Sequence, residues 1–384
     1  MQAKSTLYFK GLNGLRFMAA LLVVFAHVPT FITKTSNPNI YDFRPFSFFS
    51  NGGLAVDFFF VLSGFLITSL LLKEHEESGT ISVKRFYIRR MLRIWPLYYL
   101  IVFIAFAVFP ILANIFHLRP DPGLSVPQLL MYILLLPNFT FIFGPRILLF
   151  PLWSIGVEEQ FYLIIAPVIK YKKKSLALIF ATVIIVKLFL NFFAGQVTPA
   201  TTATIIILDL RFEAICIGCL GAIFIRSRYK YLLDKLFGLP LQLLFFGILF
   251  AVLFFNKTLP AAGIPVISPL FSVLTNRIYN GVPMGIVFLY VILCVSLNKR
   301  SIIKTGGKTF ELLGNISYGM YMYHVMTCFV VIGIMKRFFL DIPVTTATIM
   351  CYLLCVFFTM LVAYLSYVFF EKRFLNLKKK FENA

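Results

Sequence analysis

The stretch Gly11-Leu12-Asn13-Gly14-Leu15-Arg16-Phe17-Met18-Ala19-Ala20-Leu21-Leu22-Val23-Val24-Phe25-Ala26-His27 is an apolar run interrupted by one arginine and closed by one histidine. Its apolar residues are continuous rather than alternating, which predicts a helix and excludes the strand of a membrane barrel. Ten residues separate Arg16 from His27. Eleven helical steps are about three turns, so both side chains lie on nearly one face, roughly 16 Å apart, or half a bilayer core. Ionisable groups are expensive in lipid, so the pair is expected to face a polar cavity and to mark a functional site.

Runs of the same kind recur along the chain. Its 384 residues are 60% hydrophobic and only 13% charged, far from the averages of soluble domains. Candidate spans cover 13–33, 53–72, 95–116, 126–143, 153–170, 175–193, 204–226, 238–256, 280–298, 316–336 and 344–370. The net charge of +21 would suggest nucleic acid in a soluble protein. Here the Lys and Arg residues gather between apolar runs, at 84–93, 170–174, 226–235, 299–308 and 372–380, which encodes orientation and names the cytoplasmic leaflet as partner instead. Placing every cluster and the N-terminus (Lys4, Lys10) inside requires an odd number of crossings between residues 94 and 170. The 126–143 run is short, contains Pro137 and Asn138, and is followed by Gly144 and Pro145, so it is the expected re-entrant or interfacial piece. The expected architecture is all-α: a polytopic transmembrane bundle of about ten spans plus one re-entrant segment, with both termini cytoplasmic. The whole of 1–384 reads as one integral membrane domain without a soluble domain, and the first span as a retained helix rather than a signal peptide.

The six cysteines (Cys216, Cys219, Cys294, Cys328, Cys351, Cys355) all fall in apolar runs, where they act as small hydrophobes. Neither a disulfide framework nor a metal site is expected from them. No P-loop or dinucleotide fingerprint occurs.

The polar groups inside the spans carry the chemistry. His27 is either a satisfied packing histidine or, paired with Arg16, a general base, since imidazole titrates near working pH. Asp57 heads an aromatic run, Val56-Asp57-Phe58-Phe59-Phe60-Val61-Leu62-Ser63-Gly64, either as a partner of the helix dipole or as a residue that orients His27 or binds the acceptor. Arg89, Arg90 and Arg93 stand at the start of the next helix, in the charged stretch taken as a loop before the 95–116 span. Their guanidinium forks suit the phosphates of a nucleotide-bearing donor. Glu158 and Glu159 follow Trp153-Ser154 in an apolar helix and point about 100° apart, so each serves a different partner. One of them is suited to neutralising Arg16 or another buried arginine. Arg211 and Glu213 form a second buried charged set. Ser317, Tyr321 and His324 fall on one helical stripe, with His324 either a second catalytic imidazole or a core one. His75 and His117 lie in loops.

In this order, these segments resemble the acyltransferase-3 family of integral membrane acyltransferases, which modify glycans of bacterial surfaces. The resemblance rests on Arg16 with His27, the stretch from Val56, Arg90 and Arg93 with Pro96, Trp153-Ser154 with Glu158-Glu159-Gln160-Phe161-Tyr162, and Ile316-Ser317-Tyr318-Gly319 through His324. It implies a bundle of about ten helices that moves an acyl group, most commonly acetyl, from cytoplasmic acyl-CoA to a hydroxyl of a carbohydrate or lipid-linked glycan. Arg16 and His27 then carry over as the central pair, and Arg90 with Arg93 as the donor-side arginines. Because a thioester is already activated, such an enzyme needs a base for the alcohol and a stabiliser for the oxyanion, with no bound cofactor. His27 is the expected base, Glu158, Glu159 or Asp57 the orienting carboxylate, and Arg16 the oxyanion or phosphate partner. Trp153, Ser154, Arg211, Glu213, Ser317, Tyr321 and His324 are expected to contact substrate. Any handover to an extracytoplasmic partner is expected to use a separate chain. A proton-coupled transporter, or a flippase or polymerase of lipid-linked glycans, is the competing expectation.

Overall fold

The computed structural model describes residues 9–32, 48–111, 125–143, 148–197, 201–256, 258–338 and 342–381, and among them all regular structure is helical. The long helices are α1 (Leu12–Ile32), α2 (Gly52–Ser78) and α3 (Val83–Phe103), followed by the short α4 (Val126–Ile133). Then come α5 (Leu152–Lys172), α6 (Leu176–Gln196), α7 (Thr202–Asp209), α8 (Phe212–Phe224) and α9 (Leu239–Phe255). The last are α10 (Ile267–Thr275), α11 (Gly281–Leu297), α12 (Lys308–Phe338), α13 (Val344–Ser366) and α14 (Lys372–Lys379).

By length and composition, six helical runs among the described residues can cross a membrane: Leu12–Pro29, Gly52–Ser78, Val83–Ile111, Leu152–Gln196, Lys308–Phe338 and Thr345–Lys379. A pair bent by 76°, Arg228–Leu236 with Leu239–Phe255, would make a seventh. The expected count of about ten is not reached on this measure, for three reasons. The 204–226 run breaks at Leu210–Arg211 into α7 and α8. The 280–298 run yields a helix of only 17 residues. The run Leu152–Gln196 counts once, although it holds two of the expected spans as 21-residue helices joined by the lysine-rich turn Lys173–Ser175. Each of these two helices, at about 31 Å, matches the hydrocarbon thickness.

One boundary is corrected outright. The helix expected to begin near residue 95 begins at Val83, where the Ser82 hydroxyl accepts from the Arg85 amide as an N-cap. The preceding helix ends at Gly79 in the left-handed conformation (φ +73°), so only a short turn separates α2 from α3. Arg89, Arg90 and Arg93 therefore sit within the helix and not in a loop before it. Beyond Phe103 the helix widens through a π turn, Ile104–Val108.

The expected non-spanning piece is α4 plus a 3₁₀ turn, Pro137–Phe143, each too short to span. Tyr98 and Tyr99 donate to the carbonyls of Tyr132 and Ile133, at the end of α4, at 2.9 Å. Asn138 and Gln160 exchange amide hydrogen bonds, and Gly156 leaves the room that Pro137 occupies. The segment is thereby tied to α3 and α5.

The described residues form two compact units. The first holds those of 1–26, 37–81 and 165–315, and the second those of 27–36, 82–164 and 316–384. Within the first, α2 and α8 cross with backbones in contact. A Cβ added to Gly64 would lie 2.0 Å from the Ile215 carbonyl oxygen, and one added to Gly218 would lie 2.0 Å from that of Val61. Small residues at such crossings are how lipid-embedded helices pack closely. Within the second unit, α12 is joined to α3 by the Tyr318 hydroxyl, which donates to the Ile94 carbonyl at 3.0 Å.

Candidate active site

Helix α1 carries both halves of the leading pair. Arg16 is half-buried in the first unit, and its guanidinium donates to Asn13 Oδ1 one turn earlier at 3.3 Å. His27 belongs to the second unit, where its ring meets that of His324 edge-on, with centroids 4.7 Å apart and planes at 68°. The Phe150 ring centroid stands 6.2 Å from that of the same imidazole, and Phe141 packs on Phe150 at 5.9 Å. The 3₁₀ turn thus backs the phenylalanine that stands beside the histidine.

His324 is fully buried on α12. Its Nδ1 lies 2.6 Å from the Tyr321 carbonyl oxygen, and its Nε2 has no hydrogen-bond partner. The turn that holds it is anchored in its own right. The Tyr321 hydroxyl donates to the Pro151 carbonyl at 2.9 Å and lies 2.6 Å from the Ser154 hydroxyl at the start of α5. Ser317 is buried one turn back on the same helix, and Trp153, half-buried, adjoins Ser154. The structure therefore brings Ser154, Tyr321, His324 and His27 together in the second unit.

The two adjacent glutamates do serve different partners. Glu158 accepts from the Tyr162 hydroxyl at 2.8 Å, and Glu159 Oε2 accepts from Trp95 Nε1 at 2.9 Å while its Oε1 is buried without a hydrogen-bond partner. Glu159 and Arg90 also interact electrostatically. Arg90 lies over the Phe86 and Tyr162 rings, 5.9 Å from each centroid, with its Nε unpartnered. Arg89 donates to the Phe381 carbonyl at 3.2 Å, and Arg93 interacts with Glu371, a buried carboxylate in the π turn Tyr367–Glu371.

Asp57, Arg211 and Glu213 form a separate site within the first unit. Arg211 Nε lies 3.2 Å from Asp57 Oδ1, and Arg211 Nη1 lies 3.5 Å from Glu213 Oε1. The same guanidinium donates to the Arg277 carbonyl and to Asn280 Oδ1, both at 3.2 Å. Lys187 adds a cation 4.0 Å from Glu213 Oε2 and donates to Asn191 and to the Ile207 carbonyl, while Arg277 pairs with Asp209. The break between α7 and α8 is what sets Arg211 between these carboxylates. Removing one member of a buried ion pair costs about 3–5 kcal/mol, so the set also secures helices α2, α6 and α8.

Sequence reading missed Lys187, Asp209, Arg277, Trp95 and Glu371. Lys187 carried a usable signal, because a lysine inside the 175–193 apolar run calls for a buried carboxylate partner. His75, expected in a loop, is within α2 and lies 3.1 Å from Lys173 through Nδ1. His117 lies outside the described residues. Among the described residues no three His, Cys, Asp or Glu side chains converge as a metal site requires.

A family model for an acyltransferase domain, that of the acyltransferase-3 family, matches residues 9–368. A Staphylococcus aureus (strain COL) protein named "Putative O-acetyltransferase" is 28% identical over 399 residues, covering 97% of this chain and 58% of the relative. O-acetyltransferase OatA of Staphylococcus aureus (strain NCTC 8325 / PS 47) is 25% identical over 383 residues, 95% of this chain and 57% of that protein. Peptidoglycan O-acetyltransferase OatA of Listeria monocytogenes is 33% identical over 161 residues, 41% of this chain and 23% of that one. The chain spans a little over half the length of the Staphylococcus relatives. No solved structure matches it.

Proposed function

The chain belongs to the acyltransferase-3 family, and on that premise we propose that it is a membrane O-acetyltransferase that takes acetyl from cytoplasmic acetyl-CoA and places it on a glycan hydroxyl. It is an acyltransferase of the integral membrane class, carrying several helices long and apolar enough to span. The names of its relatives support acetyl as the group and, through the Listeria protein, a glycan as the acceptor. A lipid-linked glycan in the cytoplasmic membrane suits the geometry of a lipid-embedded site. Both termini on the cytoplasmic side suit the basic clusters.

The observation that carries the reading is the meeting of His27 with His324 inside apolar helices, walled by Phe150. His27 acts as the base. Its imidazole takes the proton of the acceptor hydroxyl as the oxygen attacks the thioester carbonyl, the tetrahedral intermediate expels the CoA thiolate, and the imidazolium returns the proton to that sulfur. Such proton transfer is worth about 10²–10⁴ in rate. Arg16, about 16 Å from His27 along the same helix, is too far away to reach the oxyanion and suits the donor's phosphate instead. Arg89, Arg90 and Arg93 hold the donor's phosphates, for which the unpartnered Arg90 Nε is a free donor. Glu158 and Glu159 order the tyrosine and tryptophan beside these arginines. Trp153, Ser154, Ser317 and Tyr321 line the acceptor's approach; within the first unit, Asp57, Arg211 and Glu213 are a separate polar set whose carboxylate oxygens suit sugar hydroxyls.

The test is labelling. Membranes containing this protein, given radiolabelled acetyl-CoA, are expected to transfer label to glycan as alkali-labile ester, which membranes without it do not. A transporter, flippase or polymerase would give no labelled ester.

A further inference from the structure

A hydrogen bond at one ring nitrogen determines what the other nitrogen of His324 can offer. A carbonyl oxygen only accepts, so the 2.6 Å contact between His324 Nδ1 and the Tyr321 carbonyl puts the ring hydrogen on Nδ1. The lone pair of the neutral ring is then on Nε2, which is buried and without a donor. A buried acceptor in that condition is costly, and a merely structural histidine would relieve the cost by turning. It is held from turning, because Tyr321 supplies the carbonyl and is itself fixed by Ser154 and Pro151 through its hydroxyl. The neighbouring imidazole is that of His27, with ring centroids 4.7 Å apart and planes at 68°.

We infer that His324 is the positioning residue of His27, its Nε2 accepting an N–H of the His27 imidazole so that the opposite His27 nitrogen presents its lone pair to the acceptor hydroxyl. The inference rests on the reading of His27 as the base. When that nitrogen takes the hydroxyl proton, the His27 N–H shares its positive charge with His324 Nε2, and no proton leaves the pair until the departing thiolate collects it. The role is the one a carboxylate performs behind a catalytic histidine in hydrolase triads. A neutral imidazole performs it without placing a full negative charge in an apolar bundle, where an uncompensated carboxylate is costly. The remaining step from the observed geometry is a rotation of the His27 ring about its χ2, in which it exchanges its present interactions for the bond to His324 Nε2, of the kind by which loose hydrogen bonds tighten when substrate binds.

The experiment uses the full chain in membrane vesicles with their native glycan and radiolabelled acetyl-CoA, comparing wild type with H324A, H324Q, H27A and the double variant H27A/H324A. H324A is expected to lower kcat about 10²-fold with KM for acetyl-CoA within about twofold. H324Q, whose side-chain oxygen occupies the place of Nε2, is expected to recover about tenfold of that loss. The double variant should be no slower than H27A alone, because residues acting as a unit are non-additive. Thermal unfolding in detergent is read alongside; if H324A is unstable, H324F, which fills the volume without an acceptor, replaces it. An inactive H27A with a fully active H324A, or an H324Q no better than H324A, overturns the inference alone. An active H27A removes the base reading and this inference with it.

Discussion

At the scale of single residues, the proposed donor side and the proposed transfer side differ in the neighbours that surround their charged groups. Arg90 lies over a pair of touching rings, Phe86 and Tyr162, which orient a guanidinium without consuming its N–H groups. Arg93 has Glu371 as its electrostatic counterpart. Arg90 Nε is left without a hydrogen-bond partner and, on the proposed reading, can meet a phosphate oxygen. Arg93→Ala is therefore expected to raise KM for acetyl-CoA about tenfold, the loss of one charge-assisted bond, while kcat stays within about twofold. Initial rates against donor concentration read this directly; an unchanged KM would remove Arg93 from the donor site. Much at this scale was legible from the chain. Arginine, histidine and adjacent glutamates inside apolar runs announce themselves by their cost in lipid. Which group each would meet was not, because Trp95 with Glu159 and Asp57 with Arg211 are joined across 64 and more than 150 positions, and no spacing rule reaches that far.

At the scale of helices, apolar runs mark spans well and their ends poorly. Helix α2 was expected to stop near residue 72, yet it continues to Ser78 because Lys73 and Glu77 pair one turn apart and Gly79 supplies the left-handed stop. Helix α3 starts twelve residues early for the complementary reason: arginines are good helix formers, and Ser82 caps the first turn. The break at Leu210–Arg211 has no glycine or proline to announce it; it exists because Arg211 is drawn to Asp57, Asn280 and Glu213. The α2–α8 crossing makes the sharpest demand on sequence. A methyl group at Gly218 would meet backbone atoms of Val61 and Phe65, which cannot step aside as a side chain can. Gly218→Ala should lower stability by about 3 kcal/mol, at the upper end of overpacking effects. Gly247→Ala, on α9 with nothing within 4 Å of the added carbon, should be tolerated. Thermal unfolding of the two variants in detergent compares them, and equal midpoints would show that the crossing is not tight.

At the scale of the whole molecule, the chain weaves between its two units rather than filling one and then the other, with α1, α5 and α12 each contributing to both. Composition made the membrane class plain, and the resemblance of five ordered motifs pointed to the family that the match over residues 9–368 establishes. The division into units was not legible, since it depends on contacts between segments far apart in the chain. The account as a whole depends on one imidazole taking a proton from an alcohol inside a bundle of apolar helices. The most direct test is the rate of acetyl transfer from radiolabelled acetyl-CoA to glycan by His27→Ala in membrane vesicles, at protein levels matched to wild type. The account predicts a loss of at least about 10³-fold, within the range of a removed general base. Transfer at more than about a tenth of the wild-type rate would contradict it.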